Sequence, residues 1–512
     1  MKKVGILELC GSKATNLSEY VYGLLERKQS VSVTPQAISV WCRQIGHQVY
    51  YAAYYGVGDP KDKLPNDLDV IFITTHSYIA PLAYALSKVY RMGGVLTVIG
   101  GPHAKSFPRD ALRYFDLVVL DCDKALIADI LDGHFEPHSI ISSPQPYEDT
   151  PTIEERMPEI KASAFWRDRP YANTFIPMLA SIGCAYSCNF CVDWNREYRT
   201  FSSERLAEDL RYASKNLPGA KLFFDDPNFA IRFDETLAVF ETIPATQRNP
   251  YIMETALPNL RSVERLKRLH DTNCLAVGPG IESWNQYSNK AGVGSAASQK
   301  KLNQVIEHLQ MIHEYVPYMQ ANFILGLDTD AGDEPFELTK EFLRRTPFVF
   351  PTLNIPVAYG GTPLYLSLLR EGRILKRMPF TFYWLPYLTL ILQNYDALAY
   401  FQKMVDLYSV CVSNEVLKMR LTAKSPRFVK AVHIYHTFVY RAILQNLKET
   451  VKHLQSDSHF RAFHAAESDV LPDYYVRAYK RQLGNYAELM PIEDSQPLLD
   501  GETEFSLASA IR

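Results

Sequence analysis

The sequence predicts an α/β protein made of two successive units in which strands and helices alternate, followed by a mostly helical C-terminal region. Two observations carry this prediction: short apolar runs of strand length that lack polar alternation, and helix-like segments between them. The chain has 512 residues, of which 47% are apolar and 22% are charged. It is therefore globular and longer than one ordinary hydrophobic core, which favours two or three domains.

The first unit, residues 1–140, is predicted to be a Rossmann-like domain. Its strand-like runs are Val4–Leu9, Val49–Tyr54, Val70–Thr75, Val95–Gly100 and Leu117–Leu120. Each run is apolar on both faces, as expected for a parallel sheet covered by helices. Ligands of such sheets bind at the carboxyl ends of the strands, so we expect a binding site in the loops that follow these runs.

Residues 141–172 are predicted to link this unit to the next one. The segment Pro137–Pro151 is rich in Pro and Ser and lacks sustained periodicity, as linkers do.

The second unit, residues 173–375, is predicted to be a partial (β/α)6 barrel. Its strand-like runs are Phe175–Ser181, Lys221–Phe224, Tyr251–Glu254, Leu275–Val277, Ala321–Leu325 and Leu353–Val357. Helix-like segments such as Ser203–Asn216 separate these runs. In parallel barrels the chemistry gathers at the C-terminal ends of the strands.

Residues 376–512 are predicted to be mostly helical, because apolar residues recur there at helical spacing. This stripe consists of Val432, Phe438, Val439, Ile443, Leu447, Val451 and Leu454. We expect the stripe to pack in the core. A helical cap over a substrate is the alternative, with the aromatic segment Phe380–Trp384 as its lining. Pro491–Gly501 is acidic and is predicted to form a loop-like tail.

Three cysteines, Cys184, Cys188 and Cys191, fall within eight residues directly after the first barrel strand. Their number is odd and the other cysteines are scattered singly, so the spacing indicates a soft metal site and not a disulfide. One alternative is structural zinc completed by a distant cysteine or histidine. The other is an iron–sulfur cluster with one iron left open, which the absence of a second Cys-x-x-Cys pair favours.

This spacing, with Phe190 before the last cysteine, resembles the radical SAM signature. The resemblance implies a [4Fe-4S] cluster on Cys184, Cys188 and Cys191, with S-adenosylmethionine (SAM) chelating the open iron through its amino and carboxylate groups. It also places Phe190 near the adenine edge.

Later strand ends resemble further SAM-binding motifs of that family. Asp225 and Asp226 match the turn that receives the methionine ammonium, since a carboxylate there can accept its hydrogen bonds. Glu282 and Ser283 match the turn whose acidic residue approaches the ribose. Ile324 and Gly326 match the strand that lies behind the adenine.

The loop Ile99–Ala104, together with the strand end Thr74–Ser77, resembles the cobalamin-binding domain that precedes many radical SAM cores. The resemblance implies that cobalamin is contacted by Thr75, Ser77, Gly100, Gly101, Pro102 and His103. The Asp-x-His-x-x-Gly motif that supplies a cobalt ligand does not occur, which indicates the branch without a histidine ligand. We therefore expect His103 to be a hydrogen-bonding wall residue. Leu120–Ala125 stands where relatives have a Gly-Glu-Gly-Glu turn.

The resemblance as a whole implies a cobalamin-dependent radical SAM enzyme that methylates an unactivated carbon of a small molecule or natural product. A 5′-deoxyadenosyl radical from SAM would take hydrogen from the substrate, and methylcobalamin would donate the methyl group. Such an enzyme needs an external electron donor, such as flavodoxin or ferredoxin. Two alternatives stay open: cyclisation, ring rearrangement or redox chemistry with or without cobalamin, and a non-catalytic metal-binding or sensing protein.

The net charge and the composition restrict the partners and the cellular location that we predict for the protein. The net charge of −3 gives no sign of a nucleic-acid surface. The longest apolar run, Tyr383–Leu392, contains Pro386 and is too short to span a bilayer. The first residues enter a strand-like run without the apolar core of a signal peptide, so we expect a cytoplasmic protein.

Overall fold

The computed structural model describes residues 1–25, 27–148, 150–285, 287, 290–293 and 298–499. Two parallel six-stranded sheets and a bundle of C-terminal helices make up these residues. The predicted α/β class, with a Rossmann-like unit, a partial barrel and a helical region, is confirmed.

The N-terminal unit is a parallel sheet in the order β2-β1-β3-β4-β5-β6 with helices around it. Its strands are β1 Lys3–Leu9, β2 Gln48–Tyr54, β3 Val70–Thr75, β4 Leu96–Gly100, β5 Leu117–Val119 and β6 Ser139–Ile141. Its helices are α1 Leu17–Leu25, α2 Val33–Gln44, α3 Ala80–Met92, α4 Pro102–Ser106, α5 Pro108–Leu112 and α6 Lys124–Asp132. The strand order reverses between β1 and β3, which are paired up to Leu9 and Thr75. The crevice at this switch point is where such sheets bind ligands.

The segment predicted as a linker has its own structure. The Pro- and Ser-rich stretch contains β6, and helix α7, Met157–Ala164, follows it. Glu159 of α7 accepts a hydrogen bond from Ser39 on α2 (2.5 Å). The buried Arg156, just before α7, donates to Gln36 Oε1 (2.8 Å) and to Pro177 O of the second unit (3.1 Å). Short amphipathic elements of this kind give little periodicity in sequence, yet this one ties the two units together.

Glu8 is a buried carboxyl on β1 that makes stability depend on pH. Its Oε1 accepts from Ser32 N (2.7 Å) and its Oε2 accepts from Tyr51 Oη (2.8 Å). Burial nevertheless raises its pKa to about 7. A carboxyl with a raised folded-state pKa favours folding when protonated, so its contribution declines as pH rises from its unfolded pKa through 7.

We expect Glu8→Gln to lose this pH dependence. Between pH 5 and pH 8 the free energy of unfolding of the variant should rise by about 2–3 kcal/mol relative to that of the wild type, because each pKa unit corresponds to about 1.4 kcal/mol. Urea denaturation at both pH values measures this change. The exposed Glu154→Gln is the control, and the same pH trend in both variants would contradict the role assigned to Glu8.

The second unit is a parallel sheet in the order β14-β13-β12-β11-β10-β7, curved as a partial barrel. Its strands are β7 Phe175–Met178, β10 Lys221–Phe224, β11 Tyr251–Thr255, β12 Cys274–Glu282, β13 Tyr318–Ile324 and β14 Val349–Asn354. A small hairpin, β8 Ser181–Ile182 with β9 Arg199–Thr200, follows β7. The helices are α8 Ser203–Asn216, α9 Phe233–Glu241, α10 Val263–Asp271, α11 Ser298–His313, α12 Glu334–Arg345 and α13 Pro363–Arg370.

The last barrel strand begins four residues earlier than the predicted run Leu353–Val357. It includes Pro351, although proline lacks a donor for the strand ladder. β14 is an edge strand of this sheet, where one side needs no partner, so proline is tolerated.

Five helices form the C-terminal region: α14 Ala397–Cys411, α15 Asn414–Thr422, α16 Arg427–Ser456, α17 Ser458–His464 and α18 Asp473–Leu483. Among the described helices, none is long and apolar enough to cross a membrane. The predicted core stripe on α16 divides in two: Leu447 and Leu454 are buried, whereas Val432, Val439 and Ile443 border a large cavity and Phe438 is 58% exposed. The predicted tail Pro491–Gly501 lies partly outside the described residues.

Candidate functional site

The cysteine loop is closed by the β8–β9 hairpin. The predicted strand Phe175–Ser181 divides into β7 and β8, and the loop leaves β8 at Gly183. Cys184 N donates to Arg196 O (3.3 Å), and Cys191 N donates to Cys188 O (3.0 Å). Asn228 Nδ2 lies 3.7 Å from Cys184 Sγ. The loop is therefore held by hydrogen bonds within itself and to the β8–β9 hairpin.

Gly183 is required by the conformation of this loop. Its φ is +70°, and a Cβ there would lie 2.2 Å from Glu197 O. We expect Gly183→Ala to destabilise the protein by about 2 kcal/mol or more, from left-handed strain plus backbone displacement, and to lower the iron content after reconstitution. Urea denaturation and iron analysis measure both effects.

Gly219→Ala is the matched control for that change. Gly219 also has a left-handed φ, of +81°, but nothing lies near its added Cβ. It should lose stability by strain alone and keep its iron content. Equal iron loss in the two variants would show that the contact with Glu197 is unimportant.

The three thiols share one electrostatic environment. Cys188 is buried, and burial raises its pKa to about 11 against the attraction of Lys290. Burial also raises the pKa of Cys191. Burial opposes the charge of Lys290, but Glu282 and all three thiols together raise the pKa of this lysine. Lys290 therefore supplies positive charge where thiolates form. Within the described residues, no three His, Cys, Asp or Glu side chains converge closely enough to hold a single metal ion.

The two adjacent aspartates after β10 have different surroundings. Asp226 is buried and accepts from Ser181 Oγ (2.5 Å) and Ala180 N (3.1 Å), so it holds the strand that leads into the cysteine loop. Asp225 faces the large cavity, and its buried Oδ2 has no hydrogen-bond partner in the described part of the chain. Burial, with nearby Glu8, Asp226 and Glu254, raises the pKa of Asp225 well above its usual value. This carboxyl is thus available for a cationic group.

A second acidic pair lies at the ends of β11 and β12. Glu282 is buried with φ +65°, and its Oε1 lies 3.5 Å from Lys290 Nζ. Glu254 opens into the cavity beside Gly278. Lys290 also lies over the ring of Phe190, 5.7 Å from its centroid, and that ring stacks on Tyr287 at 5.8 Å. Phe190, Glu282 and Lys290 are therefore neighbours of the cysteine loop.

Asp330, which the sequence analysis did not select, joins Ser283 to Gly326. Ser283 Oγ donates to Asp330 Oδ1 (2.7 Å), and Asp330 Oδ2 accepts from Gly326 N (3.0 Å). Gly326 has a φ of +95°, and an added Cβ would lie 2.7 Å from the Tyr400 ring. Ile324, two residues earlier, is half-buried at the end of β13. Asp330 thus fixes the loops after β12 and β13 relative to each other.

A single continuous cavity of about 1750 Å³ joins the N-terminal sheet, the barrel and α16. Ordinary ligand pockets measure roughly 300–1,000 Å³, so this cavity has room for a large cofactor and further molecules. One lobe enters between the N-terminal sheet and helices α2 and α6. Its apolar walls are Ile6, Phe72, Val98 and Val119 from strands, with Ile38 and Ile127 from helices. The slot is thus lined by apolar side chains from the sheet and from both helices.

The residues predicted to contact cobalamin fall into two groups. Gly100, Gly101 and Pro102 border the cavity. Gly101 needs its φ of +88°, since a Cβ would lie 2.3 Å from Thr74 Oγ1. Thr75, Ser77 and His103 are buried behind this wall and do not border the cavity.

Thr74, His76 and Tyr78 take the wall positions instead. Thr74 is near the end of β3, whereas His76 and Tyr78 belong to the turn that follows, so the path of this turn decides which side chains face the cavity. His103 Nδ1 pairs with Ser77 Oγ (3.2 Å), and its Nε2 pairs with Tyr84 Oη. His103 is therefore a hydrogen-bonding residue behind the wall.

Asp121 connects the cysteine loop to the N-terminal unit. Its Oδ1 accepts from Lys105 Nζ (2.6 Å) and from Arg196 Nη2 (2.5 Å). Burial opposes ionisation of Asp121, but these two cations hold its pKa below the usual value. The Gly-poor turn Leu120–Ala125 thus supplies an ion pair between the two units.

Four residues at this site escaped the sequence reasoning: Glu254, Lys290, Asp330 and Arg196. Glu254 ends a predicted strand, so the strand-end rule could have found it. The other three lie in loops, and only the folded chain shows which groups they face.

Comparisons with known proteins agree with this architecture. No family model matches the chain. Two curated relatives from Chlorobaculum tepidum are a bacteriochlorophyllide d C-8(2)-methyltransferase (25% identical, 60% of this chain and 70% of the relative) and a bacteriochlorophyllide d C-12(1)-methyltransferase (23%, 59% and 67%). A hopanoid C-2 methylase of Rhodopseudomonas palustris is 26% identical over 38% of each chain.

A solved structure shares the fold over nearly the whole chain. It is the cobalamin-dependent S-adenosylmethionine radical enzyme OxsB with aqua-cobalamin bound, with a TM-score of 0.56 and 14% identity, covering 96% of this chain and 80% of that one. The chain is similar in sequence to relatives named as carbon methyltransferases and shares its fold with a cobalamin-dependent radical SAM enzyme.

Proposed function

We propose that the protein is a cobalamin-dependent radical SAM methyltransferase that acts on an unactivated carbon of a small molecule. The observation that carries the proposal is the unpaired, buried Asp225 carboxyl, which faces the cavity one strand away from the cysteine loop. The printed names of the three curated relatives describe methyl transfer to carbon positions, which supports the same reaction here.

The chain offers a fitting group for each part of the cofactors. Cys184, Cys188 and Cys191 would hold a [4Fe-4S] cluster, and Asp225 would accept hydrogen bonds from the methionine ammonium of SAM. Lys290 would pair with the methionine carboxylate and Glu282 with the ribose hydroxyls. Phe190, Ile324 and the loop at Gly326 would adjoin the adenine. Gly100, Gly101 and Pro102, with the apolar slot, would hold cobalamin.

When bound, these cofactors supply reductive cleavage of SAM, hydrogen abstraction and methyl transfer. The chain's own part is to exclude water and to fix the distances between them. Asp121 and Arg196 keep the cysteine loop against the N-terminal unit, and Asp226 fixes the strand that enters that loop. Helix α16 closes one side of the cavity.

The test is an anaerobic incubation of reconstituted protein with deuterated-methyl SAM, hydroxocobalamin, a reductant and cell extract. We expect corrinoid to stay bound through gel filtration, 5′-deoxyadenosine to be released, and a product to gain a deuterated methyl group by mass spectrometry. Release of 5′-deoxyadenosine without corrinoid retention would favour the other radical chemistry. No release at all would leave only a metal-binding or sensing role.

We also infer that a flavodoxin or ferredoxin supplies the electron and that the protein works in the cytoplasm. No disulfide joins the cysteines within the described residues, which agrees with a reducing compartment. The net charge of −3 argues against a nucleic-acid partner.

A further inference from the structure

The barrel end of the cavity extends far below the cysteine loop. Residues at the amino-terminal ends of the strands border it, including Phe175 of β7, Tyr318 of β13 and Phe350 of β14. The lumen of a closed parallel barrel is normally filled by its own side chains. Here the lumen is open, because the barrel is partial and α16 closes its side across a gap.

We call this part the lower chamber, defined by Ile252, Ala276, Tyr318, Phe350, Val432 and Val439, all of which border the cavity. These side chains are apolar or aromatic. The cofactor groups described above lie at the opposite, carboxyl ends of the strands. The lower chamber is therefore space that the proposed cofactor contacts leave open.

Charge is distributed unevenly along this cavity. Glu449 borders it about 25 Å from Val432 along α16, at 1.5 Å per residue, and Arg481 of α18 also borders it. Asp225 and Glu254 border it at the carboxyl ends of the strands. Among the described residues that border the cavity near the lower chamber, Lys221 is charged. Its ammonium donates to Ala172 O and lies over the Phe175 ring, 5.0 Å from the ring centroid, at the amino-terminal ends of β7 and β10.

Polar groups in the lower chamber are few and uncharged. Gln320 and Thr352 border it, and His436 Nδ1 is paired with Tyr318 Oη (3.2 Å). Burial lowers the pKa of His436 to about 4, so the ring is neutral at pH 7. A neutral imidazole carries one N–H donor and one ring-nitrogen acceptor, so the Tyr318 and His436 pair offers hydrogen-bonding groups for a hydroxyl or carbonyl oxygen.

We propose that the lower chamber binds the body of the substrate, and that this body is an uncharged hydrocarbon skeleton carrying a hydroxyl or carbonyl oxygen. This rests on the proposed function. A charged group placed there would lose its hydration against walls that are mainly apolar, which costs several kcal/mol unless an opposite charge replaces the water. Amino acids, nucleotides and sugar phosphates are thus poor occupants, whereas a lipophilic ring system or chain gains from leaving water.

Dye binding to protein loaded with hydroxocobalamin and SAM tests the chamber, because the cofactor sites are then filled. We expect the uncharged dye N-phenylnaphthylamine to bind saturably at one site. Its anionic relative, anilinonaphthalene sulfonate, should bind at least about tenfold more weakly. Equal binding of both dyes, or no saturable binding of the uncharged dye, would overturn the proposal.

Matched variants on α16 locate the site. Val432→Asp puts a carboxylate into the chamber and should weaken binding of the uncharged dye at least about tenfold. Ile434→Asp, on the exposed face of the same helix, should leave binding unchanged. Val439→Trp fills the chamber without charge and should also block the dye, which keeps the test decisive if Val432→Asp fails to fold. Equal affinity in all variants would contradict the assignment.

Release of 5′-deoxyadenosine, measured in parallel, separates this proposal from the proposed function. If SAM is cleaved but the uncharged dye does not bind saturably, only the proposed substrate class is refuted. If the dye binds but SAM is not cleaved, the proposed function is refuted, whereas the lower chamber is still shown to bind an apolar ligand.

Discussion

Replacing Cys188 by Ala should abolish cluster assembly and SAM cleavage. Cys188 is the most buried of the three loop thiols, and two remaining thiolates are too few for a cluster that uses three. We expect iron in the reconstituted variant to fall to background and 5′-deoxyadenosine release to drop at least about a thousandfold. Iron analysis, the visible absorption spectrum and chromatography of the products measure these changes.

The control for this prediction is Cys42→Ala. Cys42 is equally buried, in α2 of the N-terminal unit, and should affect packing alone. If Cys42→Ala lost iron, or Cys188→Ala kept it, the cysteine loop would not be the cluster site. Circular dichroism should show that both variants retain their secondary structure.

Replacing Asp225 by Asn should weaken SAM binding without weakening the fold. Loss of one partner of a buried charge pair costs about 2–5 kcal/mol, so we expect the Kd for SAM to rise at least about 30-fold. Without SAM, the variant should be at least as stable as the wild type at neutral pH, because a buried carboxyl without a hydrogen-bond partner on Oδ2 is removed. Titration of reconstituted protein with SAM and thermal unfolding give the two values.

Asp226→Asn supplies the contrast. Asp226 accepts from Ser181 and Ala180, so its loss should lower the melting temperature and the iron content, while the remaining folded protein binds SAM with nearly wild-type affinity. If the two variants behaved alike, the division into a binding and a positioning aspartate would be wrong.

The sequence could predict features that depend on local pattern. Apolar runs without alternation located five of the six N-terminal strands, and β6 was missed because it is three residues long in a Pro- and Ser-rich stretch. The last barrel strand was predicted from Leu353, whereas β14 begins at Val349 and includes Pro351, which an edge strand tolerates.

The residues of the site could be predicted only where a motif with a characteristic spacing indicates what the residues bind. The cysteines lie on one short loop, so their proximity follows from the chain itself. The roles of Asp225, Glu282, Phe190 and the cobalamin residues stay predictions, but their surroundings are now defined. Thr75 and Ser77 illustrate the limit, because a strand end does not reveal which of two successive side chains faces the ligand.

The sequence by itself determined the α/β class, the cysteine loop and the family resemblance that the loop carries, because each follows from spacing along the chain. The tertiary structure alone decided which carboxyl is left unpaired, that Asp121 joins two units through Arg196, and that α16 lines an open chamber and not a filled core. These are contacts between residues distant in sequence. Burial, charge pairing and cavity shape arise only when such distant segments pack together.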